Sequence, residues 1–301
     1  MNNKILLTGA LMAGSLFAGA QNRMAYAVTG DGNRDFTWMN IRQVDLKTGQ
    51  VTKNLFERNT TAFSMTDVVS KRVVTSAPNE NTYYSAEYPT GTFVAAAAFD
   101  KNNNKLFFTP MRLGELRWLD LNAAENGNME FYSMPIPGFV KANDYSDESV
   151  NITRMVIGAD GYGYALSNDG NHFYKFTTGT RPTIVDMGPI IDDESNNTIS
   201  IHNRCSCWGG DMIGDAFGKL YVISASHNVF VIDPTSRVAK HLGTISGVPA
   251  NYTTNAAAVN EDGDVVVASA NVFEGYYKFK MNNLKAEKVF GSDVVYNVSD
   301  F

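Results

Sequence analysis

Cysteine is nearly absent from this chain: two residues in 301, confined to the stretch Cys205-Ser206-Cys207. Two cysteines one residue apart close only a strained ring, so no disulfide framework staples the fold and a buried core must supply stability. Positive charge is also short, with 25 Lys and Arg against 31 Asp and Glu and a net charge of −6. No basic patch stands out, which argues against nucleic acid or an anionic lipid surface as the main partner. Long apolar runs are missing too. Ile5–Phe17 falls short of the roughly 20 residues of a transmembrane helix, and nothing later is longer, so no direct membrane span is expected.

Catalytic signatures are equally scarce. There is no G-x-S-x-G elbow, no H-E-x-x-H helix and no phosphate-cradling G-x-x-x-x-G-K-[ST] loop. The acidic groups Asp192-Asp193-Glu194 and Asp144, Asp147 and Glu148 lack the alternating spacing of a preformed calcium loop. They read as solvated loop charge. His202, Cys205 and Cys207 offer three zinc-ligand types, but no fourth lies nearby and known sites space their cysteines more widely. No cofactor, no metal and no catalytic residue is therefore expected.

What is present begins with a leader. Lys4, the apolar run Ile5–Phe17 and the small residues Ala18-Gly19-Ala20 make a signal peptide over residues 1–20, cleaved before Gln21. This places the remainder, residues 21–301, in the periplasm or outside the cell as one domain. After the leader, short strands recur. Gly218–Ile245 reads as three strands in a row, preceded by a fourth at Asp211–Gly214. The same four-strand unit recurs at Phe93–Pro135, Ile152–Pro189 and Thr254–Gly291. Its first hairpin carries Asp or Asn in every copy, as tight turns prefer.

The two ends complete the pattern. Arg23–Thr29, Asn40–Leu46 and Val51–Glu57 form a unit without its first strand, and Asp293–Phe301 is a first strand with nothing after it. Ser299-Asp300 falls where other units place their turn. Joining the ends closes a ring and removes exposed sheet edges. The fold class is thus an all-β, five-bladed β-propeller closed by the C-terminal strand. A sixth blade would be hidden in Asn59–Gly91. A β-sandwich explains neither the recurring turns nor the complementary ends.

LYVISASHNVFVID followed by PTSRVAKHLGTI resembles the YVTN-type repeat of exported propellers, and LRWLDL and IRQVDL echo one of its strands. The resemblance implies architecture and carries no catalytic motif. The leader ending in Ala-Gln and the Asn-rich loops on a stand-alone propeller are also similar to accessory subunits of the type 9 secretion apparatus, including its plug. This implies a protein partner in the cell envelope, such as an outer-membrane protein.

Function is expected on the face where the long connections Arg58–Thr92, Ile136–Asn151 and Ile190–Gly210 emerge, joined by Gly30–Met39 and Asn271–Glu274. The candidate partner-binding residues there are Tyr83, Tyr84, Tyr88, Asp144, Tyr145, Asp192, Asp193, His202, Arg204 and Trp208. The innermost strands VAAAAF, MVIGA and NAAAV predict a tightly packed apolar axis with little chemistry, with Asn255 and Asn297 bridging neighbouring strands. The reading is a non-catalytic binding, scaffold or plug subunit. The alternatives are a lactonase-like or glycan-directed enzyme with an axial metal, and a carbohydrate-binding module using Tyr83, Tyr84, Tyr88 and Trp208.

Overall fold

The computed structural model describes residues 23–76, 85–142, 144, 146–289 and 295–301. The expected leader and the candidates Tyr83, Tyr84 and Tyr145 lie outside the described residues.

Five mainly antiparallel sheets stand around one axis. Their innermost strands are Val298–Asp300, Val94–Asp100, Ile152–Ile157, Asp211–Gly214 and Ala256–Val259. Blade 1 is closed as the chain ends required: Val298–Asp300 pairs antiparallel with Met24–Thr29, placing Val28 opposite Asp300 and Thr29 opposite Val298. Ser299 Oγ then donates to Val94 O of blade 2 at 2.8 Å, tying the seam to its neighbour.

The turns between first and second strands follow from local chemistry. Asp215 Oδ1 accepts from the backbone of Phe217 at 2.9 Å and of Lys219 at 2.8 Å. Asn260 Oδ1 accepts likewise from Asp262 and Asp264 at 3.0 and 2.9 Å. Each carboxyl or amide oxygen replaces a backbone acceptor, so the chain reverses without burying an unpaired N–H. Gly218 and Gly263 take the left-handed conformation that follows, with φ of 85° and 75°.

Between blades the core is made of large apolar side chains from the middle strands. Phe107, Trp118 and Phe176 pack blade 2 on blade 3, with the rings of Phe107 and Phe176 5.3 Å apart. Phe107 is fully buried, and a ring so buried contributes roughly 1.5–3 kcal/mol.

The stretch Asn59–Gly91 does not form a sixth blade. Phe63–Asp67 and Val73–Ser76 make a hairpin that adds to the outer edge of blade 2, the first strand lying parallel to Glu130–Pro135. Two strands cannot bury two faces, and Phe63 and Met65 instead join Phe56, Tyr88 and Phe131 in one cluster. Similarly, Ile191–Asp192 pairs parallel with Val238–Ala239 on the outer edge of blade 4. Parts of two connections expected to project as loops are therefore sheet. Two short helices, Leu121–Glu125 and Arg204–Cys207, were not foreseen. No described helix is long and apolar enough to cross a membrane.

Candidate functional site

The axis is not uniformly packed. It opens at both ends, and between the two openings stand Asp211 and Asp300, both buried. This corrects the expectation of an axis with little chemistry, since both residues are ionisable, and Arg154 is buried on the innermost strand of blade 3. Arg154 owes its place to the loop above it. Its guanidinium donates to Ser167 O at 2.9 Å, to Gly209 O at 3.0 Å and to Cys207 O, pinning the Cys-Trp insertion over blade 3.

The same device recurs. Fully buried Arg117 reaches Ala86 O, Tyr88 O and Pro89 O at 2.6, 2.5 and 2.7 Å. Buried Arg42 reaches Thr29 Oγ1 and Gly30 O, the latter at 2.8 Å. A guanidinium presents five donors in a fixed fork, so one side chain can satisfy several loop carbonyls that water cannot reach. Three buried arginines thus hold three connections over the same face.

At the centre of that face lies a cavity of about 330 Å³. Its walls include Trp38, Glu148, Asn151, Asn168, Arg204 and Trp208. Asn168 is structural. Its Oδ1 accepts from Thr153 Oγ1 at 2.7 Å and Gly209 N at 2.9 Å, and its Nδ2 donates to Glu148 O at 3.0 Å. Asn255 Oδ1 accepts from Ala270 N within blade 5, while Asn297 Nδ2 donates to Ala270 O and so bridges blades 1 and 5. By contrast, Trp38 Nε1, Trp208 Nε1 and Asn151 Nδ2 are buried without a hydrogen-bond partner among the described residues. Buried donors left unpaired in this way call for an explanation, and a bound acceptor supplies one.

Aromatic side chains stacked with arginine flank the mouth. The Arg204 guanidinium sits 5.0 Å from the ring of Trp208. Next to Trp38, Arg34 lies 5.6 Å from Phe273, which approaches Phe36 at 6.0 Å, and Phe36 meets Trp38 edge-on at 6.4 Å. Phe36 is 52% exposed, an unusual setting for a phenyl ring.

Of the sequence candidates among the described residues, only Arg204 and Trp208 line this cavity. Tyr88 does not lie on the surface; it is 2% exposed, packs against Phe56 and Phe63, and accepts from Asn59 N through its hydroxyl. Asp192 accepts from Ser200 Oγ and Ile201 N at 2.5 and 3.0 Å, and Asp193 caps the turn at Ser195. Neither is freely solvated loop charge. Asp144 is exposed, and hydrogen bonds from Ser146 hold its carboxyl below the usual carboxylate range. The ring nitrogens of His202 lie 2.7 Å from Asp169 O and 3.0 Å from Ile190 O, so it clamps loops together. Cys205 and Cys207 are both free thiols. No group of three or more His, Cys, Asp and Glu is placed to hold a metal ion among the described residues. Trp38, Asn151 and the Phe36–Phe273 rim were missed by sequence reasoning. Their only signal was position in the b–c and d–a connections.

No family model and no curated protein matches the chain. Solved structures similar in fold include a streptogramin B lyase, at 11% identity over 91% of this chain and 85% of that one, with a TM-score of 0.42. A virginiamycin B lyase from Staphylococcus aureus, solved with quinupristin, is 10% identical over 93% and 89% of the two chains, with a TM-score of 0.43. A protein of unknown function from Bacteroides caccae is 11% identical over 87% and 71%, with a TM-score of 0.41. At such identities the likeness concerns fold alone, and any function must be argued from this chain's own residues.

Proposed function

We propose that this propeller is a non-catalytic recognition subunit that binds a protein partner through the face around the 330 Å³ cavity. The observation that carries the reading is the pair of arginine–aromatic stacks, Arg204 on Trp208 and Arg34 on Phe273, flanking the mouth. Arginine and the large aromatics dominate binding hot spots because they bury much area at little conformational cost. The buried arginines beneath keep the loops ordered before a partner arrives, which lowers the entropy lost on binding. Export by the leader and a place in the cell envelope, as a scaffold or plug of a secretion complex bound to an outer-membrane protein, belong to the same proposal.

The test is chemical cross-linking in the native envelope followed by co-purification. A single specific partner, lost when Phe36 and Trp208 are replaced by Ala, supports the reading; recovery of no specific partner sinks it. A second reading, an enzyme acting on a small polar molecule, draws on the polar side chains that converge at the axial cavity. It requires turnover that survives removal of the exposed Phe36 ring and is lost with Asn151→Ala.

A further inference from the structure

The opposite end of the axis opens into a second and larger cavity, of about 520 Å³. It is formed by the far ends of the innermost strands, where Phe99, Val156, Ile157, Ile213, Ala258 and Phe301 turn side chains toward the opening. Several of these are only half-buried, although their types favour full burial. The wall is fixed in place: Tyr26 meets Phe99 edge-on at 4.9 Å, and Phe301 meets Tyr276 at 5.4 Å. An apolar concavity of this size, within the range of small-molecule pockets, leaves water in contact with hydrocarbon until something displaces it.

Its polar groups are all on one side. Arg23, Gln43, Lys101 and Asn104, from blades 1 and 2, share the lining, and no Asp or Glu side chain does. That is a marked bias in a chain whose acidic residues outnumber its basic ones, 31 to 25. Arg23 is paired with Asp45, which stands outside the lining, at 2.7 Å. Lys101 is exposed and has no ion pair among the described residues. An apolar funnel with cations at one lip matches an amphiphile with a single negative head.

We infer that this funnel is a binding site for a free long-chain fatty acid, its alkyl chain on Val156, Ile213 and Ala258 and its carboxylate at Lys101 and Arg23. Its lining shares no residue with that of the loop-face cavity, so it stands or falls independently of the proposed partner-binding face.

The test titrates the full chain with a fluorescent polyene fatty acid and displaces it with palmitate, with palmitate methyl ester, or with phosphatidylcholine–phosphatidylglycerol vesicles. Saturable one-to-one binding displaced by palmitate is expected, with the ester weaker by about tenfold or more, as loss of a charge-assisted contact implies. Ala258→Phe, which fills the funnel, abolishes binding, and Lys101→Glu weakens it by about tenfold. Trp208→Ala on the other face leaves it unchanged. A near-ultraviolet circular dichroism spectrum and a melting curve for each variant separate lost binding from lost fold. Absence of displacement by palmitate, equal affinity for acid and ester, or unchanged binding in a folded Ala258→Phe variant each overturns the inference. Vesicle binding without displacement by free palmitate also overturns it, pointing instead to a membrane surface.

Discussion

Asp300, on the strand that closes blade 1, lies within electrostatic reach of Asp211, on the innermost strand of blade 4; both carboxyls are buried within the ring, and neither Asp300 oxygen has a hydrogen-bond partner among the described residues. Asp211 accepts from Met212 N at 2.6 Å and from Ala257 N at 2.7 Å. Burial raises both acids, and the nearby charge of Asp211 raises Asp300 further, so the pair resists ionising together. Asp211 is pushed up to about 8.

The linkage follows directly. Unfolded, such a carboxyl loses its proton near its ordinary value of 3.8, whereas folded Asp211 keeps it to about 8. Its contribution to stability is complete below the unfolded value and is lost as pH rises toward 8. The melting temperature of the wild-type chain is therefore expected to fall from pH 5 to about pH 8. Asp300→Asn keeps the side-chain volume and removes the second acid. It flattens that slope and exceeds the wild type in stability by ~2 kcal/mol above pH 8. Melting curves of both proteins across this range check it; parallel curves would refute the coupling of the two acids.

The two thiols differ as sharply as their surroundings. Burial pushes the Cys207 thiol up to about 11, while Cys205 is exposed. Since the thiolate is the reactive species, Cys207 is expected to resist alkylation in the native protein. At pH 8, iodoacetamide should label one thiol in the folded chain and two after denaturation. No label on the native protein would mean that the thiols are bridged.

What the sequence made legible was mostly local. The Asp and Asn turn caps and the β-branched runs act over a few residues and delivered the blades; the closing strand, far in sequence from its partner Met24–Thr29, was legible only because the repeat left one unit short of its first strand. The hairpin at Phe63–Asp67 and Val73–Ser76 was visible as strands but not as an edge of blade 2, because its partner, Glu130–Pro135, is more than fifty residues away. The axial cavity was illegible for the same reason. Trp38, Asn151 and Arg204 meet only once the ring closes, and no spacing announces it. Asp300 misled most directly: its place in the repeat suggested a turn, yet it ends a buried strand.

Arg154 gives the loop-face proposal a structural handle. Replacing it with Met keeps much of the volume but leaves the carbonyls of Ser167, Cys207 and Gly209 unpaired. Unsatisfied buried acceptors cost about 1–3 kcal/mol each, part of which relaxation recovers. Urea unfolding of Arg154→Met is expected to show a loss of ~3 kcal/mol. Protease nicking near Trp208 should rise with it, because the insertion has lost its tether. A variant with unchanged stability and an uncleaved loop would show that the carbonyls are held by something else.

Phe63 tests whether the edge hairpin is part of the fold or an ornament on it. Its ring lies 5.2 Å from Tyr88, 6.2 Å from Phe56 and 6.3 Å from Phe131, which belong respectively to the 58–92 connection, blade 1 and blade 2. Removing a buried phenyl ring costs about 3–5 kcal/mol when the cavity cannot collapse, and three facing aromatic rings collapse poorly. Phe63→Ala is therefore expected to lower the unfolding free energy by ~3 kcal/mol in a single cooperative transition. Because Tyr88 O and Pro89 O are held by Arg117, the cavity also loosens the segment beside the binding face. A separate early transition for the hairpin, with the main transition unmoved, would mean that blade 2 is complete with four strands and that the hairpin folds on its own terms.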